Sequence, residues 1–176
     1  MKKLFAVVFI LLLILFAFAA CSPSGDNDNY LRIHIRANSN DDIDQNVKYL
    51  VKYQVVEYLT PLLAEAHTKE KAKSIVLSHK SDIEKIADNV LRRNGFSYSS
   101  EAHVTKEVFP TRSYLGFTLE AGEYEALILN LGTGEGNNWW CVVYPPLCFV
   151  GGELQEGGSI TYKSKIMEII NSFFGK

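Results

Sequence analysis

Two cysteines bracket the run Cys141-Val-Val-Tyr-Pro-Pro-Leu-Cys148, and thiols can bridge, bind metal or attack a substrate. Pro145-Pro146 lies midway and can turn the chain back, bringing the two Cα atoms within bridging range. Closing so short a loop is worth roughly 2.5 kcal/mol by loop entropy. A disulfide is the leading reading. Two free thiols, and a metal or catalytic pair, stay open beside it. The metal reading suffers from spacing: Cys-x6-Cys is wider than a zinc knuckle, and no histidine lies near in sequence.

Other residues offer weaker chemistry. Gly132-Thr-Gly134-Glu-Gly136-Asn-Asn has the look of a phosphate cradle. It lacks the Gly-Lys-Ser/Thr ending that supplies an ammonium and a magnesium ligand, so it reads as a flexible hairpin loop. The histidines His34, His67, His79 and His103 form no metal-binding helix pattern, and each reads as a surface or half-buried side chain. Glu123 and Glu125 would share one strand face and could pair for acid–base work, but a solvated face is the simpler account. No Gly-x-Ser-x-Gly elbow is present. Trp139 and Trp140 would point to opposite faces of a strand. Nothing here compels an enzyme, and no metal or cofactor is expected.

The first residues speak of export. Met1-Lys2-Lys3 is a short positive start, and Leu4 to Ala20 runs without a charge. Small residues precede Cys21, the pattern of a secretory signal over 1–20. Ala17-Phe18-Ala19 fits simple cleavage after Ala19. Ala19-Ala20-Cys21 is similar to a bacterial lipobox, which would make Cys21 a lipidated first residue, although Phe18 stands where Leu is usual. A retained anchor is the third reading. Cutting before Cys21 would leave 156 residues with 16 positive and 20 negative side chains, a net charge of −4. That balance argues against a protein built to neutralise nucleic-acid phosphates. A hydrophobic content of 47% excludes a wholly disordered chain. Export also places Cys141 and Cys148 where a bridge can persist.

The remaining chain reads as a polar tether over 21–30, a folded domain over 31–150, and an extension over 151–176 with a short amphipathic helix. Leu31 to Ala37 alternates apolar and polar, predicting a half-buried strand. Ile43, Val47, Leu50, Val51, Val55 and Leu59 recur at helical spacing. Pro61 would then either kink that helix or start a new one behind a Thr60 cap. A second helix is expected from Lys69 to Leu77. Ser81-Asp-Ile-Glu84 reads as a capping box before the stripe Ile83, Ile86, Ala87, Val90 and Leu91, with Gly95 as C-cap. After Gly95 the pattern turns to strands. Ser97 to Val108 has Tyr98, Ala102, Val104 and Val108 as inward residues, and Phe109 to Tyr114 is a break. Leu115 to Leu119, Glu123 to Leu131 and Trp139 to Tyr144 follow. Ile166, Ile169, Ile170 and Phe173 suggest a last helix. Segregated runs of this kind predict an α+β fold, with helices on one face of a mostly antiparallel sheet.

Four stretches carry a further likeness: Leu31-Arg-Ile-His-Ile-Arg-Ala-Asn-Ser-Asn40, Phe109-Pro-Thr-Arg-Ser-Tyr114, Ala121-Gly-Glu-Tyr-Glu-Ala126 and Asn138-Trp-Trp-Cys-Val-Val-Tyr-Pro-Pro-Leu-Cys-Phe149. From about Leu31 to Val150 the chain resembles the stage II sporulation protein R family of endospore-forming bacteria. The resemblance implies a signalling role: export from the forespore into the space between forespore and mother cell. There, family members trigger a mother-cell membrane aspartic protease that matures the pro-form of sigma factor E. It implies an activator and not a protease. Arg112, Tyr114, Trp139 and Trp140 are the candidate partner contacts, since Arg, Tyr and Trp are favoured anchors. Two alternatives remain: an exported cell-wall hydrolase using a Cys141 or Cys148 thiolate with His34 or His103, and a lipoprotein that binds a small molecule.

Overall fold

The computed structural model describes residues 26–114, 117–149 and 160–175. The expected signal over 1–20 and the candidate lipidation site Cys21 lie outside the described residues. Among the described residues there are six strands: β1 (Leu31–Arg36), β2 (Ser100–Phe109), β3 (Arg112–Tyr114), β4 (Phe117–Leu119), β5 (Gly122–Leu131) and β6 (Asn138–Tyr144). Four α-helices accompany them: α1 (Asp42–Leu63), α2 (Lys69–Ser78), α3 (Lys80–Arg93) and α4 (Ile160–Phe174). The main sheet runs β2-β5-β1-β6, and β3 and β4 pair separately. The β1–β5 pairing is parallel, while β1–β6 and β2–β5 are antiparallel. The α+β class therefore holds, with one parallel pairing at the centre of a mixed sheet.

Alternation sorts every strand into two faces. Leu31, Ile33 and Ile35 of β1 lie beside Leu127, Leu129 and Leu131 of β5, and all are buried. Helices α1 to α3 cover this face. The stripe Val47, Val51, Val55, Leu59 and Leu63 of α1 is buried, as are Ala72 and Val76 of α2 and Ile83, Ala87 and Leu91 of α3. The opposite face of β1 carries Arg32, His34 and Arg36.

Several local expectations need correction. β1 is buried on both faces, because it is a central strand and its polar side is covered as well. Ile43 and Leu50 point to solvent, so the buried stripe of α1 is narrower than the apolar spacing suggested. α1 runs through Pro61 and ends one turn before Thr68, without restarting behind Thr60. Pro61 falls in the last turn, where little helix remains to be disrupted, and the Thr60 hydroxyl donates to the Val56 carbonyl at 2.7 Å. α3 begins at Lys80, so Ser81 lies inside its first turn and is not the cap. Glu84 does not reach back to it; its Oε1 accepts from the Ala102 backbone N–H of β2 at 2.9 Å. At the other end Gly95 has φ +83°, and Phe96 N–H donates to the Leu91 carbonyl, the 6→1 bond of a left-handed helix stop.

In β2, Val108 is 74% exposed while Phe109 is completely buried. The first half of the strand packs its Ala102 face on α3, and the second half is held by its other face. The expected break over 109–114 contains β3. The Gly132–Asn138 segment is not a hairpin loop, because β1 lies between β5 and β6. It is pinned to the turn after β1. Thr133 N–H and Asn137 N–H donate to the side-chain oxygens of Asn38 and Asn40, and Gly136 N–H donates to the Ala37 carbonyl.

Candidate functional site

The face of the sheet opposite α1, α2 and α3 brings together residues far apart in sequence. Arg32 lies at its centre and is completely buried. Its guanidinium carbon sits 4.2 Å from the Phe109 ring centroid, 4.8 Å from Tyr124 and 5.7 Å from Tyr114. Each ring can offer the cation its negative π-face, worth about 1–2 kcal/mol where water is excluded. Nη2 donates to the Tyr114 hydroxyl at 2.7 Å. Nε and Nη1 have no hydrogen-bond partner among the described residues.

Two residues on, His34 is 4% exposed. Its Nδ1 lies 2.8 Å from Glu107 Oε2, and its Nε2 is buried without a partner. A carboxylate accepts only, so this contact places the imidazole proton on Nδ1. Glu107 also receives Arg36 through its other oxygen, and so joins alternate residues of β1 to β2. The His34 ring stands 5.9 Å from Phe109 and 5.4 Å from Trp140. Arg112 lies over the outer side of this group, its guanidinium carbon 4.5 Å from the Trp140 centroid.

Three of the four anticipated contact residues are thus brought to one face: Arg112, Tyr114 and Trp140. Trp139 is placed elsewhere. It pairs with Ile35 on the helix side of the sheet and lies 5.5 Å from the Lys52 ammonium of α1. The divergence of the two tryptophans follows strand alternation, as expected. Arg32, Arg36, Glu107 and Phe109 are not singled out by the sequence, and His34 is given a role there only as a base for the alternative hydrolase. The signal was present in the alternation Arg-x-His-x-Arg, but on a strand that pattern ordinarily marks a solvated side. His34, anticipated at the surface or half-buried, is buried because Glu107, Phe109 and Trp140 close around it.

The remaining candidates have structural partners. Cys141 and Cys148 form a disulfide, with Cα atoms 5.7 Å apart, and Tyr144–Pro145 between them is a cis peptide bond. Neither sulfur is a free nucleophile in this form. Glu125 is held by Lys69 at 2.8 Å and by Lys73. Hydrogen bonds from these two ammonium groups keep its carboxyl below the usual range despite partial burial. Glu123 is exposed and lies 3.4 Å from Lys106, so the two carboxylates do not work as a pair. His103 is exposed beside Glu101, and His79 is engaged by the Tyr58 hydroxyl at 2.6 Å. Among the described residues, no cluster of three or more His, Cys, Asp or Glu is placed to hold a metal ion.

A second polar group lies beneath the Gly132–Asn138 segment. Lys48 is 1% exposed and donates to Gln45 Oε1 at 2.6 Å and to the Asn137 carbonyl at 2.9 Å. Burial pushes its ammonium pKa down. Asp44 accepts from the Tyr98 hydroxyl at 2.6 Å and from Asn38 Nδ2 at 2.9 Å. Burial pushes the Asp44 pKa up, but hydrogen bonds from Ser39, Tyr98 and Asn38 outweigh it and leave the pKa lowered. Every donor and acceptor named here is used in fastening the turn after β1, so this group is scaffolding.

Comparison with known proteins agrees with the likeness seen in the four stretches. A family model for stage II sporulation protein R matches residues 27–153. The stage II sporulation protein R of Bacillus subtilis (strain 168) is 37% identical over 116 residues, covering 66% of this chain and 52% of that protein. The chain therefore aligns with about half the length of this curated relative. No solved structure matches. Arg32, His34, Glu107, Arg112, Tyr114 and Trp140 all fall within the matched span, and by that match the chain belongs to the stage II sporulation protein R family.

Proposed function

We propose that this protein is an exported sporulation signal that activates the mother-cell membrane aspartic protease maturing pro-sigma-E. It acts by binding and carries out no catalysis of its own. The observation that carries this reading is the family match over residues 27–153. The charge-free stretch Leu4 to Ala20 behind two lysines supports export, with attachment to the membrane through that segment or a lipid on Cys21. The Cys141–Cys148 bridge suits the oxidising side of a membrane. It also leaves the thiolate of the alternative hydrolase reading without a free sulfur.

The physical task of such a signal is to bind the active form of the protease more tightly than the inactive form. Arg112, Tyr114 and Trp140, gathered around a buried polar centre, supply the residue types that dominate interfaces. Co-expression with the candidate protease and its sigma substrate, in a host lacking other sporulation proteins, tests the proposal. Cleavage should depend on this chain and on its export. An exported, folded protein that leaves the substrate uncut would overturn the reading.

A further inference from the structure

A buried charge ordinarily has a counter-charge, because removing an ion from water costs several kcal/mol. Arg36 follows this rule through Glu107. Arg32 does not. It is completely buried, its one described hydrogen bond goes to a neutral hydroxyl, and two of its nitrogens are unpartnered. Three aromatic rings attract the cation but give those N–H groups no acceptor. An apolar side chain of similar length would fill the same space without the desolvation cost. The site is therefore built to hold a guanidinium with unused donors.

What covers it is one ring on a short strand. Tyr114 is half-buried and sits in β3, which pairs only with β4 in a two-stranded sheet of three residues per strand. The far strand is held, with Leu119 buried and Phe117 stacked 3.8 Å from Phe174 of α4, so yielding falls to β3, whose Arg112 and Ser113 are exposed. Arg112, also in β3, is exposed and faces Trp140 without a carboxylate partner among the described residues. Of the three guanidiniums on this face, only Arg36 is matched by an acid. The excess positive charge selects an anionic visitor, and the planar fork of a guanidinium fits a carboxylate through two parallel hydrogen bonds.

We infer that Arg32 is the receptor for a carboxylate side chain of the protein partner, and that the Tyr114 hydroxyl holds its place until that acid arrives. This rests on the reading of the protein as a protein-binding activator. Docking lifts β3 enough for the partner's Asp or Glu to replace the hydroxyl, and Arg112 meets it at the rim. No covalent step is involved; a bond from the guanidinium to a neutral hydroxyl is exchanged for a charged pair.

The test uses the full-length chain in neutral detergent, with N-acetylglutamate α-amide as the probe and N-acetylglutamine α-amide as its uncharged control. The Arg32 Nε–H resonance, assigned by comparison with Arg32→Met, reports occupancy. The acidic probe should shift that resonance saturably and the control should not. Tyr114→Phe keeps the ring and removes the competing hydroxyl, so it should bind the acid at least about tenfold more tightly, the worth of one hydrogen bond with a charged partner. A second readout, displacement of Trp140 fluorescence by the acid, should vanish in Arg32→Met, whose fold is checked by circular dichroism. The inference is overturned by an acidic probe that produces no saturable change. It is equally overturned if the control acts as well, or if the fluorescence response survives in Arg32→Met. Because the probe replaces the protease, this result is independent of the co-expression assay. Probe binding with no stimulated cleavage would instead remove the proposed function.

Discussion

Glu107 is a carboxylate shared by two side chains of β1, His34 and Arg36, and its loss should be felt differently from that of Arg32. Glu107→Gln keeps the shape but weakens the bonds to His34 and Arg36. Charge-assisted hydrogen bonds contribute about 1.5–3 kcal/mol each when partly buried, with the solvent-facing Arg36 end at the low side. The variant should therefore unfold at lower denaturant, by about 2 kcal/mol. Arg32→Met removes a charge that has no counter-charge, and should leave the unfolding midpoint unchanged or raised. A large loss of stability in Arg32→Met would mean that the aromatic cage outweighs desolvation. Asp44 gives a pH prediction. Its pKa is lowered in the folded state below its ordinary 3.8. Its contribution is thus present above that value and disappears as pH falls through the folded pKa. Asp44→Asn should be less stable at neutral pH and should show a shallower decline below about pH 4, measured by urea unfolding across pH.

Elements show which sequence signals survive folding. The Cys141–Cys148 bridge ties the middle of β6 to the 3-10 turn that follows it. Replacing both cysteines by serine, or adding reductant, should cost about 2.5 kcal/mol by the loop-entropy argument, read from chemical unfolding. If the double variant matches the oxidised protein, the bridge adds nothing to the fold. This feature, the stripe Ile83, Ala87 and Leu91, and the Gly95 stop were readable because each depends on residues close in sequence. Spacing, helical period and a positive φ are local properties. The place of β1 between β5 and β6 was not readable, since parallel β1–β5 pairing joins Leu31 to Glu125 across most of the chain. For the same reason Gly132–Asn138 passed for a hairpin loop. In fact Gly132, at φ +58°, has the Asn38 side chain where a Cβ would stand, and Gly136 lies against the Ser39 carbonyl. Gly132→Ala should cost about 1–3 kcal/mol, because strain and a collision act together. Thermal unfolding of the purified variant checks it. Arg32 and His34 were hidden by the same locality. Alternation states that β1 has two unlike faces, and only the tertiary placement of Phe109, Tyr114 and Trp140 reveals that the polar one is covered.

At the scale of the whole molecule, the sheet divides labour between its faces. One side buries Leu, Ile and Val against α1, α2 and α3, and supplies most of the hydrophobic stabilisation. The other side uses aromatic rings and guanidiniums, which fill space less economically and leave polar atoms unmatched. A fold selected for stability alone would place apolar residues at both. The second face is where binding energy can be spent, and the two adjacent tryptophans allow a clean comparison because they differ in side but not in strand. Trp139 touches Lys52 of α1, and Trp140 touches His34 and Arg112. Both are half-buried, so truncation of either should cost comparable stability, about 2 kcal/mol. Their effects on signalling should part company. Trp140→Ala should abolish stimulated maturation of the sigma precursor in the co-expression assay, while Trp139→Ala, at equal exported protein, should retain most of it. Arg112→Ala should follow Trp140→Ala, since the two side chains form one stacked contact. The opposite pattern, with Trp139 required and Trp140 dispensable, would move the partner to the exposed side of α1, where Ile43, Tyr49, Leu50 and Tyr53 lie open to solvent.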